Sequence, residues 1–323
     1  MKRPLFLLSL AFGATSLEAV AYDPPPLSKP LLTAIDFGKA SEHDANYRKA
    51  FRRCDGELGG GAGKNTFDGV TLKPPYLCAD AVVGGKKKYG DPTRLAALLK
   101  LDDGAIFWHS KMALDVDGSW AAWNGLKGAT DKKCTSYSWK RPNSCDDAST
   151  DPAIRANQID TDKFPFIVMP TAGLKKQFGP GAAARGERFA KSTGLAMGDM
   201  GVAIHRDRWT PVFIADGGPF MRLGEGSARV FEELGQTRCK KWNDDRTRCI
   251  GPGETPTNEC GTKPSTSRYP YCNSGISKDV IFVVYPGSAD ANMTPETARK
   301  TLCDFARRKL KLTGSSYCKG LES

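Results

Sequence analysis

Short apolar runs recur along the middle and later parts of this chain, each bounded by Gly, Pro, Asp or Asn. Valine, isoleucine and aromatic residues dominate the runs, a composition typical of β-strands. Asp207 lies between two of them and indicates a tight hairpin. The pattern predicts strands over Ala105–Trp108, Phe166–Met169, Met200–His205, Pro211–Ala215 and Val280–Tyr285.

Three other segments carry the period of an amphipathic helix: Arg94–Lys100, Ala228–Leu234 and Pro295–Leu312. Before the last of them, Thr294 is suited to cap the helix, and Glu296 falls in the first turn. We therefore expect a mainly β protein with peripheral helices.

Residues 1–21 have the composition of a secretory signal peptide. Lys2 and Arg3 precede a short apolar run, and the segment ends in Ala-Val-Ala at Ala21. The run is far shorter than the roughly 20 residues that cross a bilayer. We expect cleavage after Ala21 and a secreted protein, extracellular or periplasmic, without stable membrane insertion.

The ten cysteines of the chain are scattered, with no C-x-x-C pair. Behind a signal peptide, an even number of such cysteines is typical of structural disulfides. Four of them lie in a loop-like tract, where we expect local pairing: Cys239, Cys249, Cys260 and Cys272.

After cleavage, the remaining chain has the length of one large domain. We expect a single catalytic domain over residues 22–323. Its parts are a core at about 101–287, a cysteine-rich insertion at about 236–275 and a C-terminal helix at about 294–312.

The net charge of +11 would suit an anionic partner such as nucleic acid or a wall polymer. The basic residues are spread along the chain, however, with no block longer than Lys86–Lys88. We therefore expect a solvated basic surface, no nucleic-acid partner and a monomer.

Familiar cofactor and metal motifs are incomplete. Gly63 and Lys64 lack the first glycine and the final Ser or Thr of a phosphate-binding loop. The segment Asp115–Ser119 begins like a calcium loop, but its glycine comes too early and Leu126 stands where a glutamate is needed. We expect neither a metal nor a cofactor.

Asp216 and Glu225 form the most informative pattern. An apolar run brings Asp216 to a Gly-Gly-Pro turn, and Glu225 follows between Gly224 and Gly226 at the start of a helix. Two such carboxylates can hydrolyse a glycosidic bond, and flanking glycines would let a polymer approach the backbone. A structural alternative stays open, in which Asp216 fastens the turn and Glu225 caps the helix.

Four blocks of the chain, in order, resemble the fungal-type chitosanases of glycoside hydrolase family 75: Ala105–Gly118, Lys163–Pro170, Gly198–Ser227 and Asp279–Gly287. The third block is the most specific, because the family's catalytic pair lies in a Gly-Asp-x-x-Gly turn followed by a Gly-Glu-Ala-Ser stretch. The resemblance places these two acids on Asp216 and Glu225. Asp-Gly-Gly-Pro-Phe before a helix that starts at Ser227 is also similar to double-psi β-barrels, and implies a double-psi β-barrel-like core.

The resemblance implies a secreted endo-acting hydrolase of β-1,4-linked glucosamine polymers with an inverting mechanism. We assign Glu225 as the proton donor and Asp216 as the base. The alternatives are a peptidoglycan-type wall hydrolase, because a basic protein repels polycationic chitosan, and a non-catalytic, expansin-like wall-binding protein.

Further acidic and aromatic residues of the four blocks are candidates for substrate binding. We expect Asp115, Asp117 and Asp199 to contribute to an acidic cleft for the ammonium groups of the substrate. Trp108 or Trp209 could stack on a sugar, although burial in the core is the more common role of tryptophan.

Overall fold

The computed structural model describes residues 21–44, 47–48, 66–67, 70–71, 81–83, 86–88, 95–119, 134–140, 151–171, 186–218, 223–236 and 275–321. Residues 1–20 of the expected signal peptide and 237–274 of the expected cysteine-rich insertion lie outside these ranges. So do Gly63, Lys64 and Leu126 of the motifs considered above.

The described strands, in chain order, are β1 (Ser41–Glu42), β2 (Thr66–Phe67), β3 (Val70–Thr71), β4 (Ala81–Val83), β5 (Lys86–Lys88), β6 (Ala97–Lys100), β7 (Ile106–Asp115), β8 (Phe166–Pro170), β9 (Met200–His205), β10 (Arg208–Gly218), β11 (Glu225–Ser227) and β12 (Gly275–Val284). The helices are α1 (Pro152–Ala156), α2 (residues 186–193), α3 (Ala228–Glu233) and α4 (Ala298–Leu310). Two short 3-10 helices cover Lys29–Leu32 and Ser316–Cys318.

Six strands close into a mixed β-barrel. Their order around the wall is β7-β11-β8-β10-β9-β12, and β12 pairs back onto β7. The pairs β7/β11 and β8/β10 are parallel, and the other four are antiparallel. β6 pairs with the first half of β7 and carries β1 on its outer edge. The mainly β fold with peripheral helices predicted from the sequence is confirmed.

The pairing pattern of the barrel is symmetric. If β7, β8 and β9 exchange places with β10, β11 and β12 respectively, every neighbour and every relative direction stays the same. The parallel pair β7/β11 becomes the parallel pair β10/β8, and the hairpin β9/β10 becomes the antiparallel pair β12/β7. The barrel therefore consists of two three-strand units with the same pattern of pairing.

Alternating side chains along the strands fill two apolar clusters, one on each face of the wall. Trp108 and Phe282 belong to one cluster, which also packs against Phe231 of α3. Phe107 and Phe213 belong to the other, which packs against α4. Both faces of the wall are buried, so each strand has a continuous apolar sequence. These apolar runs are what identified the strands in the sequence.

Asp207 forms the predicted hairpin. Arg206 and Asp207 make a two-residue turn between β9 and β10, with His205 paired to Arg208. Arg206 adopts a φ of +57°, in the left-handed region that such tight hairpin turns require.

The predicted helix over Arg94–Lys100 is wrong. Residues 97–100 form β6, which is hydrogen-bonded to β7 on one side and to β1 on the other. Leu98 and Leu99 are both fully buried, one in each apolar cluster. Leucine and alanine favour a helix in an isolated peptide. Here the residues form a strand instead, because they pair with the edge of β7 and their side chains are buried alternately on its two faces.

The other two predicted helices are present. Ser227 caps α3, with its Oγ accepting from the N–H of Val230. α4 begins at Ala298 with Thr297 at its N-cap, so the proposed cap at Thr294 is wrong by three positions. Thr294 instead closes the preceding turn, where its carbonyl accepts from the N–H groups of Thr297 and Ala298.

A disulfide between Cys303 and Cys318 joins α4 to the segment that follows it. Cys134 is disulfide-bonded as well. Among the described helices, none is both long and apolar enough to cross a bilayer.

We expect Phe282→Ala to lower the free energy of unfolding by about 3–5 kcal/mol, the usual cost of truncating a buried aromatic side chain. Phe282 is fully buried, and its ring stacks on Trp108 with 4.9 Å between centroids. Urea unfolding checks this, with Leu27→Ala as the control, because Leu27 is 61% exposed. Equal losses in the two variants would contradict the assignment of the core.

Candidate active site

Asp216 lies near the end of β10, beside an irregularity in the pairing with β8. Ile214 pairs with Ile167, but Asp216 already pairs with Val168, so Ala215 is an extra residue. Such a β-bulge bends the strand and re-aims the side chain beside it. The carbonyl of Ala215 accepts instead from the N–H of Tyr137 at 2.8 Å. The bulge therefore joins the end of β10 to residues 134–140.

Three donors converge on one oxygen of Asp216. The N–H of Ser136 lies 2.9 Å from Oδ1 and its hydroxyl oxygen 2.5 Å from the same atom. The N–H of Gly217 donates to Oδ1 at 2.7 Å. Asp216 therefore does fasten the turn that follows it, as the structural alternative expected, and it is 4% exposed.

Asp115 and Asp117 approach Asp216 from the end of β7. The N–H of Asp117 donates to Oδ1 of Asp115 at 3.1 Å. Gly118 follows with a φ of +77°, and a Cβ there would stand 2.2 Å from the carbonyl oxygen of Ile159. Only glycine fits at position 118, because the two backbones approach closely there.

Asp115, Asp117 and Asp216 form an acidic cluster, in which one carboxylate oxygen from each lies within 4.8 Å of the others. Carboxylates this close repel one another unless protons or a cation lie among them. A hydrogen bond between the side chains of Asp117 and Asp216 is one of the influences that lower the pKa of Asp216.

Burial raises the pKa of the Asp216 carboxyl above its ordinary value. Hydrogen bonds from the Ser136 hydroxyl, from two backbone N–H groups and from Asp117 favour the ionised form and oppose this rise only in part. The environment of Asp216 therefore favours the protonated acid.

Glu225 begins β11 and is 8% exposed. Gly224 before it has a φ of +88°, and a Cβ there would stand 2.2 Å from the carbonyl oxygen of Lys111. A Cβ at Gly226 would stand 2.9 Å from Sδ of Met112. The sequence interpretation of these glycines as room for a polymer is therefore corrected: the packing of the protein against itself requires them.

Ser227, and not Glu225, caps the helix that follows. Its Oγ lies 3.3 Å from the N–H nitrogen of Val230. The alternative that gave Glu225 a capping role is therefore wrong.

Asp216 and Glu225 stand on the same rung of the barrel wall. Both pair with Val168, Asp216 in the parallel register of β10 with β8 and Glu225 in the antiparallel register of β11 with β8. One strand thus separates them. Two interstrand spacings of about 4.8 Å put their Cα atoms roughly 10 Å apart.

Asp199 does not join the acidic cluster. Its side chain is fully buried and accepts from the N–H groups of Ala196, Ser288 and Ala289 at 2.8, 2.9 and 3.2 Å. Burial raises its pKa in spite of these donors. Asp199 ties two loops together and offers no exposed surface to a substrate.

The two candidate tryptophans are core residues. Trp108 is fully buried against Phe282. Trp209 is 4% exposed, and its Nε1–H donates to the carbonyl of Thr313 at 3.0 Å. The structure leaves neither indole face open for a sugar.

Ser136 is the residue at this site that sequence reasoning missed. It lies in a stretch without strand or helix periodicity, and no motif marks it. Its neighbour Cys134 belongs to a disulfide, and that was the one signal that this segment is held in place.

No known protein-family model matches this chain, and no curated protein matches it either.

The raised pKa of Asp216 has a consequence for stability. Because ionisation is disfavoured in the folded state, Asp216 reduces the stability of the fold as the pH rises above about 3.9, its unfolded value, and through its raised folded value. Asp216→Asn stays neutral. We therefore expect the melting temperature of the variant, relative to wild type, to increase as the pH rises above about 4 and to level off once the pH exceeds the raised pKa of Asp216.

Thermal unfolding at several pH values checks this trend. The relevant quantity is the change with pH in the difference between the two melting temperatures, since a pH-independent effect of the substitution on stability does not alter it. Asp102→Asn is the control, because Asp102 is exposed in a turn. A difference that is flat or falls with pH would contradict the raised pKa.

Proposed function

We propose that this protein is an exported glycoside hydrolase that cleaves β-1,4-linked glucosamine polymers within the chain, with Asp216 and Glu225 as its catalytic carboxylates. The observation that carries the proposal is their common register with Val168. One strand separates the two residues, which puts their Cα atoms roughly 10 Å apart. Inverting glycosidases hold their two carboxyl groups roughly 6.5–9.5 Å apart.

The environments of the two acids support a division of roles. Burial raises the pKa of Asp216 above its ordinary value. A carboxyl group with a raised pKa is suited to protonate the leaving glycosidic oxygen. We therefore propose Asp216 as the proton donor and Glu225 as the base that activates water, which reverses the assignment made from the sequence.

The acidic cluster supports an amino-sugar substrate. Asp115 and Asp117 are half-buried beside the fully enclosed Asp216. Their local negative charge can attract an ammonium group at contact, where the screened net charge of +11 has less influence. Such attraction at contact would oppose the long-range repulsion between a basic protein and a polycationic substrate.

The fold proposal is a double-psi β-barrel. The six-strand closed wall, its two parallel pairs and the symmetry between β7–β9 and β10–β12 support this topology. The resemblance of the chain to chitosanases of glycoside hydrolase family 75, and the disulfides at Cys134 and Cys303–Cys318, support export to an oxidising compartment.

We expect Asp216→Asn and Glu225→Gln each to lower kcat on chitosan by about 10²- to 10⁴-fold, the usual contribution of a general acid or base. Release of reducing ends measures this. NMR of the first products should show the α-anomer, because inversion at a β-linkage yields it. Asp102→Asn and Glu296→Gln are matched controls, since both residues are exposed and outside the site.

Other substrates give distinct outcomes. Activity on purified wall sacculi and none on chitosan would replace the substrate with peptidoglycan. If wild type releases no reducing ends from any glycan, and both variants bind glycan as well as wild type does, the protein is a wall-binding module and the enzyme proposal fails.

A further inference from the structure

We propose that Ser136 is the positioning residue of Asp216: it fixes the orientation of the carboxyl group and reserves Oδ2 for proton transfer. The inference rests on the proposed function, because it assigns a role within the same site. It adds a residue that neither the sequence patterns nor the resemblance indicated.

The hydrogen bonds at Asp216 are unevenly divided between its oxygens. Oδ1 accepts from the N–H and the hydroxyl of Ser136 and from the N–H of Gly217. Three donors fully occupy Oδ1. Oδ2 is therefore the oxygen of Asp216 better placed for proton exchange with a substrate.

Ser136 makes two of these three bonds, and its hydroxyl oxygen also lies 3.1 Å from the N–H nitrogen of Gly217. A side chain that is bridged on both sides cannot rotate freely about χ1 or χ2. Ser136 thus holds Asp216 in one rotamer. A fixed rotamer matters because proton transfer requires the donor oxygen to be in place before the bond breaks.

The segment that carries Ser136 is itself anchored on both sides. The N–H of Tyr137 donates to the carbonyl of Ala215, the bulge residue directly before Asp216. The hydroxyl of Thr135 donates to the carbonyl of Tyr137 at 2.7 Å, and Ser138 forms a β-bridge with Gln158. Ser136 is exposed, and the segment that carries it is held beside Asp216 by these bonds.

The charged groups of the described residues that face Asp216 are Asp115 and Asp117, both negative when ionised. Against them and against burial, the Ser136 hydroxyl is the strongest single influence that lowers the pKa of Asp216. Loss of this hydroxyl should make Asp216 a weaker acid, and thus a poorer proton donor. The effect on rate then comes from acidity and orientation together.

The experiment compares Ser136→Ala, Ser136→Thr and Ser138→Ala with wild type, using kcat and KM on chitosan from pH 4 to pH 9. We expect Ser136→Ala to lower kcat by about 10- to 100-fold, the value of one hydrogen bond to a charged group, with KM changed by less than about twofold. The alkaline limb of its pH profile should move to higher pH. Ser136→Thr keeps the hydroxyl and should restore most of the rate.

Ser138→Ala is the matched control, because its hydroxyl lies in the same segment but donates to the carbonyl of Lys140 at 2.7 Å. It should keep the wild-type pH profile. A Ser136→Ala enzyme with wild-type kcat and an unmoved alkaline limb would overturn the inference. So would equal losses in Ser136→Ala and Ser138→Ala without any shift in pH, since that pattern reports a merely structural segment.

A second measurement separates this inference from the proposed function. If wild type hydrolyses no glycan, the proposed function fails, but the ionisation of Asp216 can still be followed by carboxyl ¹³C NMR in wild type and Ser136→Ala. A midpoint that rises in Ser136→Ala supports control of Asp216 by Ser136. An unchanged midpoint overturns it.

Discussion

The antiparallel pairing of β12 with β7 is the constraint on which the rest of the structure depends. Seven residue pairs, from Gly275/Ala113 to Val284/Ile106, close the wall. A slip of one residue would move every apolar side chain of β12 to the opposite face and break both clusters. Glu225 pairs with Ala113 of β7, the residue that also pairs with Gly275 of β12. The register that closes the barrel therefore also fixes the position of Glu225 along β7.

A buried acid next to two others destabilises a fold. Here specific hydrogen-bond donors of the surrounding chain oppose that effect. The bulge at Ala215 turns β10 towards Ser136, and Gly217 supplies a backbone donor. Burial still raises the pKa of Asp216, so these donors offset the effect of burial only in part.

The sequence predicted five of the six barrel strands, because strands buried on both faces leave apolar runs, but it missed the three-residue β11. The sequence assigned Asp216 and Asp117 to one site only because each of them lies in a recognisable motif. It could not place Ser136, since contact between residues 80 positions apart depends on a bulge that leaves no mark in the local pattern. The prediction of a helix at β6 was wrong because the local sequence favours a helix, whereas pairing with the edge of β7 makes the segment a strand.

The symmetric pairing of the barrel has a consequence for the acidic cluster. The exchangeable strands β7 and β10 each carry one aspartate of the cluster towards their C-terminal ends, Asp115 and Asp216. The cluster therefore combines side chains from both three-strand units, and neither unit contains all of it.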